Sequence, residues 1–229
     1  MSASVLAAVA AERVKLTTLR SPLWSVALAA VLSVGLAALQ PQTAVLGVAV
    51  FGVPVLTVVA VLTVTGEYRT GMIATTFLAT PGRFVVLCAK AVVAAVFCGL
   101  SAVVMAVTAY LVAHEPLDGS TVAAIGVYGG LAAVLGVGVG ALLRHSAGAV
   151  SVVLLWPLLV EPLLGNLPGR GAQIGPYLPF ANMFRLLDVT WLYPAYDWHW
   201  GVVGALTYFT AVVAVVFGAA AFVTARRDV

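Results

Sequence analysis

The chain reads as long apolar runs separated by short polar breaks. Taken in order, the runs are Leu23 to Leu39, Ala44 to Val64, Phe84 to Ala113, Thr121 to Leu143, Ala147 to Val160 and Gly201 to Thr224. Most are long enough to cross a hydrocarbon layer as a helix, which takes about 20 residues. The fifth is short and is closed by Glu161-Pro162. The runs are continuous rather than alternating, which excludes a transmembrane barrel. Six helical spans are predicted. Pro54, inside the second, predicts a kink there.

Three stretches depart from this pattern. Residues 1–22 carry Glu12, Arg13, Lys15 and Arg20, with Val5, Val9, Leu16 and Leu19 near one helical face. Glu12 falls on that same face, so the amphipathicity is imperfect. This pattern predicts a helix lying along the membrane surface, ended by Ser21-Pro22. A cleaved signal peptide is the alternative, and no clean cleavage site follows the first apolar run. Residues 65–83 form a loop with a short helix from Thr70 or Gly71 through Leu78, stopped by Thr80-Pro81-Gly82. Residues 161–200 are punctuated by Pro162, Pro168, Pro176, Pro179 and Pro194. They are rich in aromatics, including Tyr177, Trp191, Tyr193, Tyr196, Trp198 and Trp200. Such aromatics gather at a membrane boundary, and one or two short helices dipping into it are predicted.

Composition agrees. Apolar residues make up 63% of the 229 residues and charged ones 8%, against about 25% charged in a soluble domain. An all-α polytopic membrane protein follows. The net charge of +3 does not point to nucleic acid, because the basic residues sit at span ends as topology signals. With both termini inside, Arg13, Lys15, Arg20, Arg69, Arg83, Lys90, Arg144, Arg226 and Arg227 are cytoplasmic, while Arg170 and Arg185 are outside.

Candidate chemistry is sparse. The two lysines, Lys15 and Lys90, do not follow a glycine, and no phosphate-cradling G-x-x-x-x-G-K-[ST] occurs. No G-x-S-x-G occurs, and the three histidines are scattered, so no catalytic, metal or cofactor site is expected in the chain. Cys88 and Cys98 are about 15 Å apart along one helix and cannot bridge. They read as packing residues. Gly126, Gly130, Gly136 and Gly140 make two G-x-x-x-G pairs, readable as close helix packing or as ordinary membrane-helix glycine. Glu161 reads either as an interfacial carboxylate paired with Arg170 or Arg185, or as a participant in substrate release. Glu67 and Arg69 at the end of the second span either pair with the N-terminal helix, for example with Glu12 or Arg13, or anchor the span at the headgroups.

The order Glu67-Tyr68-Arg69, Gly71, Thr80-Pro81, Arg83 and Lys90 resembles the first cytoplasmic loop of the ABC-2 type transporter permeases. The segment E-R-x-K-L-x-T-x-R-S-P, Glu12 to Pro22, is similar to that family's N-terminal helix. The resemblance implies the membrane subunit of an ATP-driven exporter in the bacterial cytoplasmic membrane. Such a subunit pairs with a second permease, identical or related. ATP and magnesium are held by separate ATPase subunits. It makes the helix from Gly71 to Leu78 a coupling element, with Glu67, Arg69, Ile73, Phe77, Pro81, Arg83 and Lys90 around it. Phe77 would enter an apolar cleft of the ATPase, and Glu12, Arg13 and Lys15 would carry the N-terminal contact. The second and fifth spans line the centre in that family, which places Phe51, Pro54 and Trp156 on a path. The apolar lining suggests a hydrophobic or amphipathic cargo: a drug, lipid or peptide. A non-transporting binding or immunity module and, more remotely, a six-span intramembrane enzyme are the readings from other classes.

Overall fold

A computed structural model describes residues 2–40, 44–80, 82–189, 193 and 196–226. Pro81, Trp191, Pro194 and Arg227, named above, lie outside the described residues. The protein is an all-α polytopic membrane protein with six helices long and apolar enough to cross a membrane, and no strand occurs among the described residues. The helices are α1 (Ser2–Thr18), α2 (Arg20–Leu39), α3 (Val48–Thr70), α4 (Met72–Ala79) and α5 (Arg83–Ala113). They continue as α6 (Gly119–Leu143), α7 (Ser146–Gly165), α8 (Gly171–Ile174), α9 (Pro179–Leu186) and α10 (Val202–Arg226).

Prolines set the irregularities, and three of them act four residues upstream. A proline lacks an N–H, and its ring clashes with the carbonyl four residues back. The carbonyl opposed by Pro22 is that of Thr18, so α1 ends at Thr18 and Leu19 is extended (φ −74°, ψ 135°). The break thus precedes the Ser21-Pro22 pair, which falls in the first turn of α2. Pro54 and Pro162 do not stop their helices. Each follows a π-turn, Val48–Gly52 in α3 and Trp156–Val160 in α7. The N–H of Val53 donates to Val48 O and that of Glu161 to Trp156 O, both five residues back. The widened turn makes room for the ring, so the helix continues. Accordingly the fifth span does not close at Glu161-Pro162 as the sequence predicts. It runs on to Gly165, a full 20 residues.

At the centre is α6, packed against α3, α5, α7 and α10. Both glycine pairs serve close approach. A methyl group on Gly136 would lie 2.8 Å from Thr57 O of α3, and one on Gly126 would lie 2.6 Å from the Val103 side chain of α5. The small residues therefore let α6 lie against two neighbours at once. At one end of the bundle Tyr128 (α6), Phe180 (α9) and Phe209 (α10) meet edge to face, with centroids 5.3–6.4 Å apart. The short helix α9 is thereby sealed onto the spans.

At the other end, Lys90 in α5 bonds α1, and Arg83 Nη1 in the first turn of α5 reaches Thr224 O near the end of α10. The N-terminal helix and the end of α10 therefore share one end of the bundle. Cys88 and Cys98 are both free thiols.

Candidate functional site: an ion-pair ring beneath a short helix

The most elaborate polar structure lies at the end of the bundle shared by α1 and α10. Glu12 comes from α1, Glu67 from the last turns of α3, Lys90 from the second turn of α5 and Lys15 from α1. Lys15 Nζ lies 2.8 Å from Glu12 Oε1 and 2.6 Å from Glu67 Oε1. Lys90 Nζ lies 2.9 Å from Glu12 Oε2 and 2.7 Å from Glu67 Oε1. The four groups close a ring of alternating sign. The Lys90 side chain is only 2% exposed, and both carboxylates are buried. Its third proton goes to Thr63 O at 3.2 Å, so the buried ammonium is fully satisfied.

The local sequence explains the ring. Glu12 and Lys15 are one turn apart and so face the same way. Leu16 flanks them and packs on Val59 and Val93 of α3 and α5, so the apolar stripe of α1 is the face that docks. Glu12 is therefore no defect in an amphipathic pattern. It is the polar centre of a docking face whose partners carry the opposite charge. Outside the spans, burial pulls the Lys15 ammonium down. The hydrogen bonds and charges of Glu12 and Glu67 outweigh that and hold it above its ordinary 10.5.

The ring touches the loop as well. Thr76 of α4 donates to Glu67 Oε2 at 3.3 Å. Gly71 joins α3 to α4 with φ +71°, a left-handed conformation that costs glycine nothing. Thus α4 is joined to α3 through one flexible residue and touches the ring through one hydrogen bond.

The sequence-predicted residues divide into two groups. Glu12, Lys15, Glu67 and Lys90 come together, with Gly71 adjacent. Arg13 and Arg69 are exposed and outside the ring, so the partner of Glu67 on the N-terminal helix is Lys15 and not Arg13. Ile73 is buried. Phe77 differs from expectation: it is half-buried, lies under the Arg83 guanidinium at 5.5 Å, and faces the same small void as Val64, Tyr68 and Ile73. That face of α4 packs on its own bundle. The outward apolar residues are Met72 and Leu78, 52% and 82% exposed. The sequence misassigned the faces because residues four apart show which side chains share a stripe, not which way the stripe points. Thr76 went unnoticed for the same reason.

Pro54, expected on a path, is buried in the core, whereas Phe51 and Trp156 are exposed on the single chain. Glu161 is fully buried, and neither arginine reaches it. Its carboxylate accepts from Trp156 Nε1 at 3.0 Å, from the N–H groups of Phe180 and Ala181 at 2.9 and 3.1 Å, and from the Tyr193 hydroxyl at 3.5 Å. Arg185 instead stacks over Trp198 and donates to Trp200 O. Among the described residues no cluster of His, Cys, Asp and Glu suited to a metal occurs. No protein-family profile matches the chain, and no curated protein sequence matches it.

Proposed function

We propose that the chain is the permease subunit of an ATP-driven exporter in a bacterial cytoplasmic membrane, working as a homodimer or with a related permease. Its cargo is hydrophobic or amphipathic, and ATP and magnesium belong to a separate ATPase subunit. Both termini and α4 lie in the cytoplasm. The observation that carries this reading is the ring with α4 above it. A push on α4 reaches α3 through Gly71 and the Thr76–Glu67 bond. It then reaches α1 and α5 through four ion pairs that fasten the three helices together. Such an arrangement converts force on a surface helix into tilting of a span, which a passive anchor does not require. The order of loop residues that resembles the ABC-2 permeases supports the same reading.

The test uses the outward face of α4. Leu78→Asp places a carboxylate at a position that is 82% exposed, so the chain itself should fold and insert normally. Against an apolar cleft of a partner, an unpaired carboxylate costs about 1–3 kcal/mol or more, roughly tenfold or more in affinity. Capture of the co-expressed ATPase subunit, and stimulation of its ATP hydrolysis, should both fall by about that factor. Unchanged capture and stimulation would remove α4 as the docking element.

A further inference from the structure

A cleft of about 560 Å³ opens beside the ring, between the broken α1–α2 segment and α3. Its volume is in the range of sites that enclose a small molecule, roughly 300–1,000 Å³. One wall is α3, from Val59 and Leu62 through Gly66 to Arg69. The other includes Leu19 and Pro22 at the helix break. The break makes the cleft: with Leu19 extended, α1 and α2 meet at an angle and cannot both close on α3. From Val59 to Arg69 the wall rises about 15 Å and changes from apolar to cationic.

We propose that this cleft binds an anionic phospholipid taken from the leaflet on the ring side, with its phosphate at Arg69 and an acyl chain against the exposed lining residues Leu62 and Leu19. Charge complementarity selects this occupant. Glu12 and Glu67 also line the cleft, but Lys15 and Lys90 already neutralise them. The exposed Arg69 guanidinium therefore sets the sign at the rim, and its planar fork suits a phosphate. Arg20, also exposed, adjoins the lining residue Ser21 and adds a second positive charge nearby. The deep wall calls for hydrocarbon, because Leu62 is 43% exposed there and an apolar surface is better covered by an acyl chain than by a hydrated ion. A free anion would leave that wall uncovered. A helix from a second copy would carry hydrocarbon onto Arg69 and leave the guanidinium without an anion. One amphiphile satisfies both ends, and its place between α1 and α3 makes it a wedge beside the ring. This occupancy depends on the spans and not on the exporter reading.

The experiment is lipid binding by the purified, delipidated full chain, followed by native mass spectrometry and thermal midpoint. The probes are phosphatidylglycerol and phosphatidylcholine with identical acyl chains, and inorganic phosphate. The wild-type chain should retain one phosphatidylglycerol at least about tenfold more tightly than phosphatidylcholine and be stabilised by it, while inorganic phosphate has no effect. Arg69→Gln should abolish the headgroup preference without weakening phosphatidylcholine binding. Gly66→Phe should abolish the single tightly held lipid, because a side chain there starts in open space and fills the cleft. If Gly66→Phe fails to fold, Arg69→Gln decides alone. Equal retention of the two lipids by the wild-type chain, or phosphatidylglycerol preference surviving in Arg69→Gln, would overturn the proposal. So would stabilisation by inorganic phosphate, or spontaneous cross-linking between chains carrying Gly66→Cys, which would show a second copy in the cleft.

Discussion

The ring around Lys90 and the pocket around Glu161 solve one problem in opposite ways. Each buries ionisable groups within a bundle surrounded by hydrocarbon. In the ring, two carboxylates and two ammoniums alternate, so each charge has two opposite neighbours. Around Glu161, the carboxylate is held by two backbone N–H groups at the start of α9, one indole N–H and one phenol. Neutral dipoles at a helix N-terminus replace a counter-charge there. The contrast concerns what each site joins. The ring fastens three long helices by charge pairs, and its buried members, Glu12, Glu67 and Lys90, depend on one another most. The Glu161 pocket fastens a short helix to a π-turn by bonds that need an acceptor but no charge.

Removing the most buried cation of the ring should therefore have the largest effect. In Lys90→Met, Glu12 and Glu67 are left with a single ammonium between them, and Lys90 is the more buried of the two cations. Breaking a buried pair from one side costs about 3–5 kcal/mol. The expected result is a large fall in the thermal midpoint of the detergent-solubilised chain, accompanied by increased proteolysis within α1 as it detaches. Replacing all four members by neutral residues of similar size (Glu12→Gln, Lys15→Met, Glu67→Gln, Lys90→Met) should recover much of the loss. A Lys90→Met variant as stable as the wild type would show that the ring is not a cooperative unit.

Glu161 should show the complementary pattern at smaller amplitude. Glu161→Ala strands the N–H groups of Phe180 and Ala181 and the Trp156 indole, costing about 1–3 kcal/mol. Glu161→Gln keeps a carbonyl oxygen for these donors and should recover most of it, whereas Glu67→Gln in the ring should not be benign. Thermal midpoints of the three variants test the contrast directly. If Glu161→Gln proved as damaging as Glu161→Ala, the negative charge itself would matter and the two regions would be alike.

These two sites were not equally legible in the sequence. The spans were, because an uninterrupted apolar run has one stable fate in hydrocarbon. Glu67 and Lys90 stood out as charges at span ends, but their pairing is set by packing between residues 23 apart, and Lys90 and Glu12 are 78 apart. Nothing local encodes those meetings. Glu12 looked like a blemish because periodicity sees a charge on an apolar face and not the charge opposite it. Glu161-Pro162 looked like a stop because a proline ordinarily ends a helix. The π-turn that absorbs it leaves no compositional mark. The Asp118 cap of α6 was legible and was missed: its carboxylate accepts from the N–H groups of Ser120 and Thr121, the usual use of an Asp just before an apolar run.

The smallest expected effect singles out the fourth member of the ring and uses pH to separate it from the other three. Lys15 is about one-third exposed, so solvent screens its pairs, and Lys15→Met should cost less than about 1 kcal/mol at neutral pH. Because Lys15 titrates above its ordinary 10.5 in the folded chain, its contribution has a definite sign. It is fully present below pH 10.5, where both folded and unfolded chains carry the proton. It declines as pH rises through the higher folded value, where the pairs lose their cation. The stability difference between wild type and Lys15→Met should accordingly be constant from neutral pH to about 10 and shrink above that. Lys15→Arg keeps its charge throughout this range and should retain its advantage over Lys15→Met. Chemical denaturation of the solubilised chain at several pH values gives all three curves. A difference that grows with alkalinity would mean that Lys15 is not a partner of the ring's carboxylates but a competitor for them.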